Sequence, residues 1–473
     1  MTAIDKYFRY GDAQYRYIDS ELHKNYTCVL NQTDINKNTN KFYIMQIIEC
    51  NNKYIHYIRY GRVGDIGVML YNDYNDIEIA IKEFCKQFKL KTGNTWCGDD
   101  ISLFKPKEKK YILLDMEKSI IKENDKNETN DKTCELNPIV IDLIKIISDN
   151  KMLQNSMMGM NINLKKLPLG RISNKQIDDA KLILDEIKNE IETNNDLKIL
   201  ENKSSMYYTY IPFKTERRNK PPIINNMDII NKYYVLLDEL KNISEVSYAI
   251  ENYSINEMYI NLNTIIEPLD VNTDIYNELT KYILNTQCKT HHYTLKINMI
   301  YKIIKQNHNY DNKNGNEHLL FHGSPICNWY SILKNGLLLD PSKLNVRITG
   351  KMFGYGIYWA NAITKSYNYC MNNDISNKGI IAVGRVALGN QLKLNKSNVY
   401  LNKQYLDEYG YDSTWGMGNS TPDSHTILDN LIIPNGKIIE KNKQNELLYD
   451  EFIIYDDTKY KFEYLILLEH QFI

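Results

Sequence analysis

The stretch HLLFHGSPICN, residues 318–328, is decisive for the fold and chemistry of the C-terminal half of the chain. Its first half has the composition of a β-strand, and this strand ends at His322, Gly323 and Ser324. Because Gly323 has no side chain, its backbone N–H and C=O can both approach a flat ligand group, with hydrogen-bonding side chains on either side. A histidine at a strand end is more often a satisfied structural residue, so this segment alone leaves both interpretations open.

A second stretch, GKMFGYGIYWANAITKSYNYC at 350–370, places Gly350, Gly354 and Gly356 before a predicted strand. A dinucleotide-binding loop has the spacing GxGxxG and follows a strand, so this pattern argues against a Rossmann fold. The glycines indicate a turn where backbones pass closely, which does not exclude a ligand there.

The end of the same stretch predicts a short helix that carries Lys365, Ser366 and Tyr369. A hydroxyl and an aromatic ring one helical turn apart could hold a planar amide between them. The chain contains 38 tyrosines against 11 phenylalanines, so such pairs also arise by chance.

A third stretch, NELLYDEFIIYD at 445–456, predicts a strand in which Glu451 shares one face with apolar and aromatic residues. Asp450 and Asp456 would point to the other face. A carboxylate in such a place must be paired, ligated or functional, because burying it alone is costly. An ion pair with Lys or Arg is the structural alternative to a catalytic role.

Outward from these stretches, composition divides the chain into regions. Short strand-like runs separated by turns after residue 255 predict a mostly antiparallel α+β domain. Residues 1–105 alternate at period two and contain one helical segment at 77–93, ended by Gly93. A segment rich in charged residues and Asn indicates a linker within 106–135. Helical periodicity begins at Pro138, and it returns after the predicted Ser173 cap and again at 227–250.

The composition excludes several protein classes. The 473 residues suggest about three domains, and a net charge of -1 argues against a chain-wide nucleic-acid coat or an anionic membrane partner. The apolar runs are too short to span a membrane and the first residues are no secretory signal, so we expect an intracellular protein. Eight cysteines without a CxxC pair predict reduced thiols and no metal site.

Taken together, these stretches resemble the catalytic domain of the poly(ADP-ribose) polymerase family, over about 255–473. VALGN at 386–390 and GNSTPD at 418–423 belong to the same resemblance. Three upstream segments resemble the helical regulatory domain of the DNA-dependent members: NINLKKLPLGRISNKQI at 161–177, SSMYYTYIP at 204–212 and NKPPIINN at 219–226. YIRYGRVGDIG at 57–67 resembles the domain named for its Trp-Gly-Arg (WGR) motif.

The resemblance implies a multidomain α+β protein. Its parts are a small strand-rich WGR-like domain (1–105), a linker (106–135), an all-α helical regulatory domain (136–252) and a mostly antiparallel α+β ADP-ribosyltransferase catalytic domain (255–473).

The resemblance also implies the site residues. The family's His-Tyr-Glu triad matches His322, Tyr358 and Glu451, which would contact the adenosine ribose of NAD, shape the nicotinamide pocket and bind the 2′-hydroxyl of the nicotinamide ribose. The other matches are Gly323, Ser366 and Tyr369 around nicotinamide, Ser324 and Asn328 on the adenosine side, Met352 at the acceptor side, and Lys365 as an active-site lysine.

The implied activity is transfer of ADP-ribose from the substrate NAD to protein acceptors, including the chain itself, with growth of polymer. Such a reaction builds positive charge on the ribose, which a nearby carboxylate such as Glu451 would stabilise. Mono-ADP-ribosylation of protein or DNA ends and an idle DNA-end-binding scaffold are the alternatives. The resemblance implies nuclear residence, with a cytoplasmic location as the alternative.

DNA ends or nicks are the expected activators. Tyr60, Gly61 and Arg62 match the WGR motif, with Tyr in place of the usual Trp, and lysines at 82, 86, 89 and 91 could extend the contact. The alternative is a solvated basic helix face. The chain departs from some relatives at Leu338 and in its ending Gln471-Phe472-Ile473. No zinc-finger cysteines precede the WGR-like domain, which resembles the short DNA-dependent members.

Overall fold

The computed structural model describes most of the chain, in twelve segments. These are residues 4–8, 20–50, 52–117, 136–149, 171–213, 215, 219–337, 339, 352–354, 356–370, 377–441 and 443–472. Gly350, Leu338, Cys134, Ile473, most of the predicted linker and the segment 161–170 lie outside the described residues. No helix of the described segments is long and apolar enough to cross a bilayer.

The N-terminal sheet has five strands in the order β4-β3-β2-β1-β5. Asp76 caps the helix that packs on this sheet, and Gly93 ends it with a φ of 73°, as the sequence predicts. This helix buries Ala80, Phe84 and Phe88 against the strands. The elements are β1 (Glu21–Asp34), β2 (Thr39–Cys50), β3 (Lys53–Arg62), β4 (Val68–Tyr74), α1 (Ile77–Thr92) and β5 (Ile112–Leu113).

Helices dominate the next region, as predicted. They are α2 (Pro138–Ile147), α3 (Asn174–Thr193), α4 (Leu197–Tyr210) and α5 (Met227–Asn252), with a two-stranded ladder of β6 (Met116–Glu117) and β7 (Arg171–Ile172) beside them. Asn137 caps α2 ahead of Pro138, and the Ser173 hydroxyl accepts from the N–H of Gln176 at the start of α3. The sequence pattern does not predict α4, because most of its buried residues carry a hydroxyl group and weaken the apolar period. These residues are Leu200, Ser204, Tyr207, Tyr208 and Thr209.

The C-terminal region is built on a seven-stranded sheet in the order β16-β17-β10-β12-β21-β9-β8. Its ladders are antiparallel except for β10 with β17. The first elements are α6 (Ile255–Asn261), β8 (Thr264–Pro268), α7 (Asp274–Asn285), β9 (Tyr293–Lys305), β10 (Glu317–Ser324), α8 (Trp329–Asn335), β11 (Ile357–Trp359), α9 (Ile363–Tyr367) and β12 (Lys378–Ala387).

Two smaller sheets complete this region, in the orders β11-β20-β14-β13 and β18-β15-β19. Their elements and the remaining strands are β13 (Gln391–Leu394), α10 (Lys403–Tyr409), β14 (Ser413–Gly416), β15 (Gly418–Pro422), β16 (Thr426–Leu428), β17 (Leu431–Ile433), β18 (Ile438–Glu440), β19 (Leu447–Tyr449), β20 (Glu451–Ile454) and β21 (Tyr460–Phe472). The predicted α+β class with mainly antiparallel pairing is confirmed.

The chain forms two compact units, and the helical region contributes to both. The first unit contains residues 1–126 and 157–244, where Asn31 of β1 donates to the carbonyls of Tyr208 and Thr209 on α4. The second contains residues 127–156 and 245–473. There α2 packs against β8, α6 and α8 and buries Val140, Leu143, Ile144 and Ile147.

Candidate active site

Three neighbouring strands bring the predicted triad residues into one region of the second unit. Phe321 of β10 exchanges two backbone hydrogen bonds with Ala360, at the end of β11, over 2.8 and 2.9 Å. Tyr358 of β11 pairs with Ile453 of β20, and Glu451 is the first residue of β20. His322 follows Phe321 directly. The backbone pairing therefore places the imidazole of His322, the phenol of Tyr358 and the carboxylate of Glu451 on neighbouring strands.

His322 and Tyr358 are linked through the backbone. The Nδ1 atom of His322 lies 2.9 Å from the Tyr358 carbonyl oxygen, so Nδ1 carries the proton and Nε2 is the free acceptor. Burial lowers the pKa of His322, and the hydrogen bond to Tyr358 opposes the shift. The imidazole is therefore neutral near pH 7.

The hydroxyl of Tyr358 makes two hydrogen bonds inside the protein. It accepts from the Phe353 N–H at 3.0 Å and donates to the Gly354 carbonyl at 2.9 Å. Burial is the main cause of its raised pKa. Since its single proton is already donated, Tyr358 can meet a ligand only through its ring and as an acceptor.

Glu451 is buried and paired. Its Oε1 lies 3.1 Å from Nζ of Lys365, and the two side chains are 10% and 13% exposed. Desolvation lowers the pKa of Lys365, while the Glu451 charge opposes this shift. The ion pair that the sequence offered as the structural alternative exists, and it lies within the predicted site.

The segment around Glu451 differs from the single strand that the sequence predicts. β19 and β20 belong to different sheets and are separated by Asp450. The buried Asp450 carboxylate accepts from the Gly418 N–H at 2.8 Å and from Nδ2 of Asn361 at 2.9 Å. Lys365 donates to the carbonyls of Tyr449 and Asp450 at 2.7 and 3.3 Å.

Neither Asn361 nor this use of Asp450 follows from the sequence pattern. The strand alternation predicted only that Asp450 points away from Glu451. The one available signal is two adjacent acidic residues inside an apolar strand, which is unfavourable unless both are satisfied.

Gly323 and Ser366 are in close contact. A Cβ atom on Gly323 would lie 1.9 Å from the Ser366 carbonyl oxygen, so only glycine fits. The Ser366 hydroxyl donates to the Phe321 carbonyl at 3.2 Å. Tyr369 lies just past the end of α9 and is 57% exposed, while desolvation around its hydroxyl and the nearby Glu451 raise its pKa to about 12.

The remaining predicted site residues border this region. Nδ2 of Asn328 donates to the Ser324 hydroxyl at 3.1 Å, and Nε1 of Trp329 donates to the Ser324 carbonyl at 3.1 Å. These bonds fix the loop between β10 and α8. Met352 packs with Tyr358 against the cluster that contains Phe353, Leu401 and Tyr455.

The WGR-like residues lie in the first unit. Tyr60 stacks on Tyr43 with a centroid separation of 5.6 Å. A Cβ atom on Gly61 would lie 2.8 Å from the Cα of Gly67, so the strand passes close to the following loop.

The Arg62 guanidinium makes several hydrogen bonds. It donates to the carbonyl and side chain of Asn38, to the Thr215 hydroxyl at 2.9 Å and to the Asn219 carbonyl. Arg62 therefore connects β3 to the segment after α4.

Cysteine and acidic residues add no further site in the part of the chain that the structure describes. There, no three His, Cys, Asp or Glu residues are arranged to hold a metal ion. The cysteines described as free thiols are Cys28, Cys50, Cys85, Cys97, Cys288, Cys327 and Cys370.

Comparisons with known proteins agree with this architecture. Residues 273–470 match the poly(ADP-ribose) polymerase catalytic domain, 134–271 the regulatory domain of the same polymerases, and 26–102 the WGR domain.

Full-length relatives extend the match along the chain. Poly [ADP-ribose] polymerase 1 of Danio rerio is 32% identical over 464 residues, which cover 94% of this chain and 45% of the relative. Poly [ADP-ribose] polymerase 2 of Arabidopsis thaliana is 30% identical over 472 residues, which cover 93% of this chain and 72% of the relative. The chain thus spans about half the length of the animal relatives that it matches.

Three domain models match in one order along the chain, and the Arabidopsis relative is covered over more than two thirds of its length. The strands that hold His322, Tyr358 and Glu451 fall within the catalytic match. This chain is therefore a member of the poly(ADP-ribose) polymerase family.

Proposed function

We propose that this protein is an NAD-dependent ADP-ribosyltransferase that transfers ADP-ribose to protein acceptors and to growing chains. The observation that supports this most is Glu451, a buried carboxylate held by Lys365 on the strand next to Tyr358. A fixed negative charge in a shielded site is the group that a developing sugar cation requires.

In the proposed reaction, the bond between the nicotinamide nitrogen and ribose C1′ breaks, and nicotinamide leaves with the bonding electrons as a neutral molecule. Gly323, Ser366 and Tyr369 would hold the leaving group. Glu451 would bind the ribose 2′-hydroxyl and stabilise the positive charge on the sugar. The acceptor oxygen then bonds to C1′, and Glu451 can accept its proton and release it to solvent.

The adenosine end would lie beside His322. Its Nδ1 atom donates a hydrogen bond to the Tyr358 carbonyl. The unprotonated Nε2 atom can therefore accept a hydrogen bond from a ribose hydroxyl. Ser324 and Asn328, which bond to each other, would border the same end. No metal takes part in this mechanism.

We further propose that broken or nicked DNA activates the enzyme through the WGR-like domain, with Tyr60, Gly61 and Arg62 at the contact. The helical region would restrain the NAD site until DNA binds, which is a shift between closed and open populations. The packing of α2 against the turn Ile326–Asn328, which includes the proposed adenosine contact Asn328, supports this regulation. The domain boundaries at 105, 135 and 252 and a nuclear location are part of the same proposal.

A direct assay tests the function. Purified full-length protein is incubated with NAD labelled in its adenylate, with and without nicked or broken DNA, and nicotinamide release and labelled protein are measured. We expect both to increase with DNA, and a ladder of labelled species on a gel if chains grow. One discrete labelled species would favour mono-ADP-ribosylation, and no nicotinamide release or label under either condition would contradict the proposal.

A further inference from the structure

The turn at residues 352–354, which carries Met352, is fixed by hydrogen bonds on its backbone. The Met352 carbonyl accepts from the Asn398 N–H at 2.8 Å. The Phe353 N–H and the Gly354 carbonyl both bond to the Tyr358 hydroxyl. The turn is thus hydrogen-bonded to Tyr358, which belongs to the proposed triad.

A second tyrosine hydroxyl completes the attachment. Oη of Tyr455 donates to the Phe353 carbonyl at 2.6 Å and lies 3.0 Å from the Thr414 hydroxyl. Because Tyr455 has one proton and donates it to Phe353, Thr414 must be the donor in their contact. Tyr455 is 4% exposed, so water cannot readily replace either bond.

Packing leaves the turn little freedom to move. Phe353 is 1% exposed, and its ring lies 2.4 Å from where a Cβ on Gly416 would be. Gly354 has a φ of 72°, and a Cβ there would lie 1.9 Å from the Leu401 carbonyl oxygen. The turn therefore has one position as long as its hydrogen bonds are intact.

Tyr455 also lies on the same extended segment as Glu451. Glu451 begins β20 and Tyr455 follows directly after its last residue, Ile454. The segment 451–455 thus carries the carboxylate at one end and the hydroxyl that holds the turn at the other. A change at Tyr455 can displace the turn while Glu451, held by Lys365, stays in place.

We propose that Tyr455 is a positioning residue that fixes the 352–354 turn for the acceptor and is not needed for NAD binding. This inference rests on the proposed function and deepens it, because it names a residue that determines whether ADP-ribose is transferred to an acceptor or to water. Once nicotinamide has left, the sugar cation can be captured by an acceptor hydroxyl or carboxylate or by a water molecule. A protein or chain acceptor reacts faster than water only if a rigid surface orients it. Met352, which the family resemblance assigns to the acceptor side, would be part of that surface.

The test compares transfer with hydrolysis in the full chain, in the presence of broken DNA. Tyr455→Phe removes the hydroxyl and keeps the ring, and Thr414→Val removes the donor to that hydroxyl while keeping the side-chain shape. The matched control is Tyr282→Phe, because Tyr282 is also fully buried and also donates to a backbone carbonyl, that of Leu319 at 3.1 Å. Protein-bound label and free ADP-ribose are measured from the same reaction.

For Tyr455→Phe we expect the ratio of protein-bound label to free ADP-ribose to fall about five- to tenfold, the usual effect of one buried hydrogen bond. Thr414→Val should lower the ratio less, and the KM for NAD should stay within about twofold for both. Tyr282→Phe should keep the wild-type ratio.

An unchanged ratio in Tyr455→Phe would overturn the inference, as would an equal fall of transfer and hydrolysis, which indicates general damage to the site. If Tyr455→Phe does not fold, an unchanged ratio in Thr414→Val decides against the inference and a lowered ratio supports it. No nicotinamide release by the wild type would instead contradict the proposed function itself.

Discussion

Lys365 and Glu451 form a shielded ion pair, with Nζ and Oε1 3.1 Å apart. Lys365 comes from α9 and Glu451 begins β20, so the pair joins the segment after β11 to the strand that pairs with β11. Breaking such a pair leaves an uncompensated charge in a poorly solvated place, which is far more costly than losing a pair at the surface. Lys365 therefore compensates the shielded charge of Glu451.

Replacing Lys365 by Met should lower both stability and kcat. The change leaves the Glu451 carboxylate without its partner in a poorly solvated place and removes the donor to the Tyr449 and Asp450 carbonyls. We expect the free energy of unfolding to fall by about 3–5 kcal/mol and kcat to fall with it. Urea unfolding and nicotinamide release measure the two quantities.

Lys461→Met is the matched control, because Lys461 pairs with Glu463 over the same 3.1 Å but is 40% exposed. It should keep the wild-type stability and kcat. A Lys365→Met enzyme with wild-type stability and kcat would show that Glu451 does not need its partner.

Glu451→Gln separates binding from catalysis. The amide keeps the size and hydrogen-bonding capacity of the side chain but removes the negative charge beside the developing cation. We expect kcat to fall on the order of 100-fold or more, while the dissociation constant for NAD changes little. Calorimetric NAD binding and nicotinamide release measure the two quantities, and full activity in this variant would refute the assigned role.

Asp450 should contribute to stability and to the placement of Glu451. Asp450→Ala leaves the Gly418 N–H and Nδ2 of Asn361 without their acceptor, which should cost about 1–3 kcal/mol per buried donor and also lower kcat. Asp450→Asn should be milder, because its amide oxygen can still accept from Gly418 while the Asn361 amide turns over. Urea unfolding and nicotinamide release compare the two variants, and equal effects of both would argue against the hydrogen bonds as the cause.

The strands of the site and several helix boundaries could be predicted from the sequence, because residue alternation and the order of the motifs determine them. The strands around Phe321, Tyr358 and Glu451 follow from apolar composition and flanking turns, and their contacts with one another are antiparallel, as expected for this fold. The helix boundaries at Gly93 and Ser173 follow from capping chemistry.

Contacts between distant segments could not be predicted in the same way. The division of one acidic strand into β19 and β20 depends on Gly418 and Asn361, which lie 32 and 89 positions from Asp450. The anchoring of Phe353 by Tyr455 spans 102 positions. In a chain with 38 tyrosines, nothing local distinguishes the two hydroxyls that hold a turn from those that fill a core.

The buried His322 should make the protein sensitive to acid. Burial lowers its folded-state pKa below the ordinary value of 6.5. The stability contributed by the neutral imidazole is therefore fully present above about pH 6.5 and is lost as the pH falls through the folded-state pKa. We expect the urea midpoint to decrease over this acid range in the wild type.

His322→Asn should show a shallower dependence in the same unfolding experiment, because the amide Nδ2 can still donate to the Tyr358 carbonyl and does not titrate. Identical pH dependence of the two proteins would mean that another group controls acid unfolding.

A test of regulation by the helical region requires a smaller change than deletion of that region. Deleting residues 137–250 should raise activity without DNA if the region is inhibitory. The deletion also removes α2, which packs on β8, α6 and α8 in the second unit. A single contact of α5 within the same unit offers a cleaner test. Glu245 bonds through Oε1 to Nζ of Lys334 at 2.7 Å and through Oε2 to Nδ2 of Asn335 at 3.1 Å.

Those two partners are the last residues of α8, whose first residue follows Asn328. We expect Glu245→Ala to raise the rate of nicotinamide release without DNA about two- to fivefold, since a partly exposed ion pair contributes up to about 1 kcal/mol to the restrained state. The rate with saturating broken DNA should not change, because the open state has already lost the contact. Combining Glu245→Lys with Lys334→Glu should restore the low basal rate.

Glu440→Ala, which removes an exposed ion pair with Lys443 in the same unit, is the control and should leave both rates unchanged. A rise in Glu440→Ala equal to that in Glu245→Ala would attribute the effect to general loosening. An unchanged basal rate in Glu245→Ala would show that this contact does not restrain the site.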